Sequence, residues 1–139
     1  MIRFFNEDID FTLPQKQLLK NWLKALATQE NKQLGELNYI FCSDEYLLQV
    51  NRDYLDHDYY TDIITFDNAE DEHRLEGDIF ISLDRIRDNA NILGVTFEHE
   101  FHRVLAHGLL HLIGYGDKSP AEEQQMRAKE DFYLARYGH

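Results

Sequence analysis

One cysteine, two prolines and no apolar stretch of membrane-spanning length are the first things scarce in this chain of 139 residues. With Cys42 alone there is no internal disulfide, so a reducing compartment suits the protein; set in the apolar run Leu37 to Cys42, the thiol is expected to be buried and inert. The N-terminal Met1-Ile-Arg-Phe-Phe-Asn-Glu-Asp lacks the continuous apolar core of a signal peptide, and nothing approaches the ~20 apolar residues that cross a bilayer. A soluble, cytoplasmic protein with no membrane partner is expected. Cations are scarce too: 14 Lys and Arg face 26 Asp and Glu, for a formal net charge of −12. That balance disfavours a generic nucleic-acid coat, DNA included, and any anionic lipid surface, and it leaves only locally arranged positive charge for contacts with nucleic acid. Repeats, low-complexity tracts and linkers are absent, so residues 1–139 read as a single domain. What is present is core material: 43% hydrophobic residues, with nine Phe and eight Tyr, which excludes a disordered chain.

Periodicity divides the chain into short strands and longer helices. Residues 2–5 read as a strand, and Pro14 opens a helix to about Thr28 in which Leu18, Leu19, Trp22, Leu23 and Leu26 recur at helical spacing. Leu37 to Cys42 is a second strand, and Ser43 or Asp44 caps a helix through Tyr46, Leu47, Val50 and Tyr54. A loop from Asp56 to Tyr60 leads to a third strand, Asp62 to Phe66; a charged, turn-prone stretch from Asp67 to Glu76 leads to a fourth, Gly77 to Ser82. Helices follow at about 83–93, 96–113 and 120–137. The expected fold is α+β, a small four-stranded mixed sheet covered by helices, with a candidate metal site at the end of a late helix.

That site is the segment His107-Gly-Leu-Leu-His111-Leu-Ile-Gly114-Tyr-Gly-Asp117. Residues four apart on a helix are surface neighbours, so the two imidazoles can serve one ion, and Gly114 can take the positive-φ conformation that ends a helix and turns the chain back to offer Asp117. Three protein ligands leave a fourth position for water, the mark of a catalytic rather than a structural metal. The apolar stripe Phe97, Phe101, Val104, Leu105 and Leu112 puts both histidines at the margin of the core. Two nitrogens and one oxygen suit a single Zn²⁺ best, with Ni²⁺, Mn²⁺ or Fe²⁺ as alternatives; the ion would acidify its water for a hydrolysis. The spacing also matches metzincin-type metallopeptidases, but these need a glutamate at the position of Gly108, and Glu100, seven residues up the helix, lies about 10 Å away. His57, His73, His99 and His102 are expected on the surface.

Together, HGLLHLIGYGD, VNRDYLDHDYYTDIITFD and the strand GDIFIS resemble the YbeY family of metal-dependent endoribonucleases, over most of the chain. In the family's metal motif, HGxLHLxGYDH, residues His107, Gly108, Leu110, His111, Leu112, Gly114 and Tyr115 match, and Met126 and Glu130 stand where the family tends to place a methionine and a glutamate. The resemblance implies a zinc-dependent, single-strand-specific ribonuclease that processes the 3′ end of small-subunit (16S) ribosomal RNA in ribosome maturation, with ribosomal RNA and the ribosome as partners. Three departures stand out. Gly116-Asp117 replaces the family's Asp-His, Leu55 replaces an arginine that could hold a phosphate, and Tyr60 and Asp67 replace prolines. Arg52 is a weak candidate to take over from the missing arginine, and Arg85, Arg87 and Arg103 are candidates for an RNA-facing patch. The competing class is a non-catalytic metal-binding factor of ribosome assembly; a metzincin-like peptidase comes last.

Overall fold

The computed structural model of the protein describes residues 1–137; Gly138 and His139 lie outside it. Among the described residues four strands, β1 (Ile2–Asn6), β2 (Gln33–Cys42), β3 (Ile63–Asp67) and β4 (Arg74–Ser82), form one sheet in the order β1-β2-β4-β3. β1 and β4 both run parallel to β2, whereas β3 pairs antiparallel with β4, so the sheet is mixed and the fold is α+β. Among the described residues five helices complete it: α1 (Lys16–Gln29), α2 (Asp44–Leu55), α3 (Leu83–Leu93), α4 (Phe97–Ile113) and α5 (Pro120–Leu134).

Alternation along the strands sorts side chains to two faces. Leu37, Tyr39 and Phe41 of β2 and Leu75, Ile79 and Ile81 of β4 join one large core with residues of α1, α3, α4 and α5. Cys42 and Ile64 turn the other way, into a small cluster with Leu47 and Val50 of α2. α4 lies deepest: besides the expected Phe101, Val104 and Leu105, its Ala106, Gly108, Leu109 and Leu110 are buried. Gly108 is what lets it approach the sheet, because a Cβ there would sit 2.8 Å from Ile63 Cδ1 and 3.0 Å from Ile79 Cγ2. The Tyr39 hydroxyl crosses the same interface to donate to the Leu105 carbonyl at 2.9 Å, and Trp22 Nε1 donates to the Tyr133 carbonyl at 2.8 Å, joining α1 to α5.

Several boundaries differ from the pattern-based reading. α1 starts at Lys16, not Pro14, because Gln15 adopts φ 54° and breaks the first turn. β2 and β4 begin earlier than their apolar runs, since Gln33 and Leu34 pair with Arg74 and Leu75 before a register shift at Gly35 and Glu36. α5 ends at Leu134. Tyr54, counted on the apolar face of α2, is exposed and meets Phe66 edge to face. His102, expected in solvent, is buried among Phe101, Trp22 and Tyr137, and burial holds its pKa below the ordinary imidazole value; the aromatic lid over this part of α4 comes from distant segments. His57, His73 and His99 are exposed, as expected.

Candidate metal centre

α4 carries the two histidines to its last turns and then stops. Thr96 caps its start, accepting from the His99 amide at 3.0 Å. Gly114, at φ 127°, ends it with amide bonds to the Leu110 and His111 carbonyls. This is the expected helix stop, and it returns the chain towards α4: Asp117 Oδ2 lies 3.4 Å from His107 Nε2. Two ligands of a tetrahedral zinc ion with bonds of 2.0–2.1 Å stand about 3.3 Å apart, so this pair has the spacing of two corners of one site. His111 completes the sequence motif but not the cluster. Its ring is parallel to that of His107, with centroids 6.5 Å apart, and among the described residues no three His, Cys, Asp or Glu side chains are drawn together as metal ligands.

The other nitrogen of His107 is held by a residue that spacing arguments did not identify. Glu130 of α5, only 1% exposed, accepts from Nδ1 through Oε2 at 2.8 Å. Its Oε1 takes Arg103 Nη1 at 3.1 Å, and Arg103 in turn donates through Nε to Glu100 at 2.9 Å. A chain Glu100–Arg103–Glu130–His107 thus runs from the core to the cleft. With Glu130 accepting, the neutral imidazole keeps its proton on Nδ1 and turns the lone pair of Nε2 towards Asp117, the arrangement that metal-bound histidines use. Burial disfavours charge on both partners. The hydrogen bond and mutual attraction outweigh it, raising the His107 pKa above the ordinary value and lowering that of Glu130, which Arg103 also stabilises as an anion. Asp62, at the entry to β3, is a second neighbour unforeseen from spacing; burial raises its pKa against the pull of His107 and Arg103.

The cationic candidates are mostly engaged. Arg52 pairs with Asp58 at 2.5 Å on the surface, Arg85 with Asp44 at 2.8 Å, and Arg87 with Asp84 at 3.8 Å. Arg103 is enclosed by Glu100 and Glu130, with 13% of its side chain exposed. Leu55 is exposed at the end of α2. Gly108, whose lack of a carboxylate counted against a peptidase, faces the sheet, where a glutamate would have no room. Cys42 is buried, and burial with the nearby carboxylates of Asp8 and Glu7 pushes its thiol up to about 12.

The tether of the Asp117 loop also lies far away in sequence. Tyr115 donates to Glu30 Oε1 at 2.6 Å, and Glu30 also accepts from Lys129 at 3.1 Å and from the Tyr133 hydroxyl. One carboxylate at the end of α1 thereby holds both the loop and α5.

Comparison with known proteins agrees with this architecture. The solution structure of a Thermotoga maritima protein superposes with a TM-score of 0.70 at 27% identity, covering 99% of this chain and 89% of that one. "Endoribonuclease YbeY" of Cytophaga hutchinsonii is 60% identical over 134 residues, 96% of this chain and 94% of the relative. The protein of that name from Bacteroides thetaiotaomicron is 53% identical over 121 residues, 87% of this chain and 88% of the relative. The profile described as Endoribonuclease YbeY matches residues 2–138, and the chain belongs to that family.

Proposed function

We propose that this protein is a metal-dependent, single-strand-specific endoribonuclease that matures the 3′ end of small-subunit ribosomal RNA in the cytoplasm, with ribosomal RNA and the ribosome as its partners. Membership of the endoribonuclease family supports the reaction class. The observation that carries the reading is the His107 imidazole held between two carboxylates, Glu130 at 2.8 Å on Nδ1 and Asp117 at 3.4 Å on Nε2. His107, His111 and Asp117 would hold the ion, Zn²⁺ by the chemistry of the donors, with His111 joining by a change of rotamer that its exposed position permits. Bound there, the ion would supply Lewis-acid stabilisation of the phosphate and a water acidified towards neutrality.

The chain's own residues have separate tasks. Glu130 fixes the tautomer and aim of His107. Arg103 keeps Glu130 ionised and in place, and the Glu30–Tyr115 bond holds the loop that carries Asp117. Because His107 binds its proton more tightly than a free imidazole, loading the site must displace that proton, and acid must weaken metal binding.

The test is cleavage of single-stranded RNA by purified protein. Activity lost in His107→Ala and on chelation supports the reading; metal binding by the wild type without cleavage refutes it. The second reading, a non-catalytic metal-binding assembly factor, is favoured by one observation only, Leu55 standing exposed at the family's arginine position, and predicts that second outcome.

A further inference from the structure

We infer that Arg127 of α5 binds a backbone phosphate of single-stranded RNA, one nucleotide away from the phosphate presented to His107 and Asp117; the inference rests on the ribonuclease reading above. A cleft of about 630 Å³ between α4 and α5 is lined by His107, Asp117, Gln124 and Arg127. Its volume suits a nucleotide-sized group. Of the two arginines on its wall, Arg103 is enclosed, with 13% of its side chain exposed and bonds to both Glu100 and Glu130. Arg127 is different: 56% of its side chain is exposed, and it reaches Glu130 Oε1 only at 3.5 Å.

Glu130 places the two groups. Arg127 meets one of its oxygens and His107 the other, so the guanidinium and the imidazole bracket a single carboxylate and lie within about one nucleotide step of each other. The same Oε1 already accepts from Arg103 at 3.1 Å. Arg127 can therefore swing to a phosphate without leaving Glu130 unpaired, and at 3.5 Å, with its guanidinium end in solvent, its own pair with Glu130 is a weak one. A guanidinium can grip a phosphodiester through two parallel N–H bonds, which the ammonium of a lysine cannot copy. Glu123 and Asp131 also line the cleft. With the net charge of −12 they cancel long-range attraction, so the phosphate must be held by direct contact.

The experiment compares wild type, Arg127→Ala, Arg127→Lys and, as a charge control outside the cleft, Lys24→Ala, each as the metal-loaded protein. Cleavage of a short single-stranded RNA gives kcat and KM across a salt series. Anisotropy of a labelled deoxyribo-oligonucleotide of the same sequence, which keeps the phosphates but lacks the 2′-hydroxyl, gives binding apart from turnover. Arg127→Ala should raise KM and the DNA Kd on the order of 5- to 10-fold while leaving kcat nearly unchanged, and should flatten the slope of log Kd against log salt by ~0.7, the loss of one phosphate contact. Arg127→Lys should restore the salt slope but only part of the affinity, and Lys24→Ala should match wild type. Unchanged KM, Kd and slope in Arg127→Ala, with cleavage intact, overturn the role of Arg127 alone. A wild-type protein that neither binds nor cleaves overturns this inference together with the ribonuclease reading.

Discussion

Replacing Glu130 by glutamine should cripple metal binding while leaving the fold standing, because the two sides of the carboxylate make incompatible demands on an amide. One oxygen accepts from Arg103 at 3.1 Å and the other from His107 Nδ1 at 2.8 Å. A glutamine has one acceptor and one donor end. If its carbonyl stays on Arg103, its NH₂ faces Nδ1, which must then accept; the ring proton moves to Nε2 and blocks the lone pair aimed at Asp117. If its carbonyl turns to His107, the NH₂ confronts the Arg103 guanidinium. Altering the partner of a metal-bound histidine costs about 10- to 100-fold in affinity, or ~1.4–2.7 kcal/mol, and the forced tautomer places Glu130→Gln at the upper end. Stability should fall by ~1.5–3 kcal/mol at most, too little to unfold the domain, because Arg103 keeps Glu100 and one charge-assisted bond is lost. Competition with a chromophoric zinc chelator near neutral pH measures the affinity, and thermal melting of the metal-free proteins measures the fold. Zinc affinity within twofold of wild type, in a variant that melts cooperatively, would refute the assignment of Glu130 as the residue that aims His107.

Gly108→Ala normally helps a helix, yet here it should destabilise by about 1–3 kcal/mol in urea unfolding, because the new methyl group is forced towards Ile63 and Ile79; a stabilised variant would sink this account of α4 packing. For Glu30, burial raises the pKa but is outweighed by donors from Tyr115, Tyr133 and Lys129, so the folded value lies below the unfolded one. Its contribution is therefore full above the unfolded carboxylate pKa near 4.5 and fades as pH falls through the lower folded value. Glu30→Gln should cost roughly 1–3 kcal/mol at neutral pH, with the gap to wild type closing in acid, and a gap independent of pH would show that the charge of Glu30 is not what matters.

The elements were legible where apolar spacing was strong. The stripe of α4 specifies both a helix and the face it buries, the β-branched run marks β3, and the structure follows both. The pattern failed where a partner, not the segment itself, decides the outcome. Gln33, Leu34 and Arg74 carry no strand signal, and they are ordered because they lie across from one another in a parallel pair. His102 is polar on an otherwise ordinary turn, and its burial depends on Trp22 and Tyr137, which lie far from it in sequence. Register and long-range cover of this kind are set by tertiary contact, which no local window contains.

The candidate site divides the same way, and the division says which part of the chain governs its chemistry. His107, Gly114 and Asp117 are joined by a helix and one turn, so spacing alone was enough to bring them together. Glu130 stands 23 residues beyond His107 on a different helix, and Glu30 precedes Tyr115 by 85; the family resemblance pointed to Glu130 without a role, and neither acid is tied to the site by spacing until the fold apposes it. Gly108 shows how local logic can mislead. Set against a peptidase motif it looks like a missing base, whereas the structure makes it the contact point of α4 on the sheet. A carboxylate cannot approach the site from that position, and the buried one that reaches His107 comes from α5. The tautomer of His107, the anchoring of the Asp117 loop through Lys129 and Tyr133, and the exposed arginine in the cleft all depend on how α5 is seated. Changes along its inner face should therefore alter metal affinity more than changes of equal size on the exposed face of α4 away from His111.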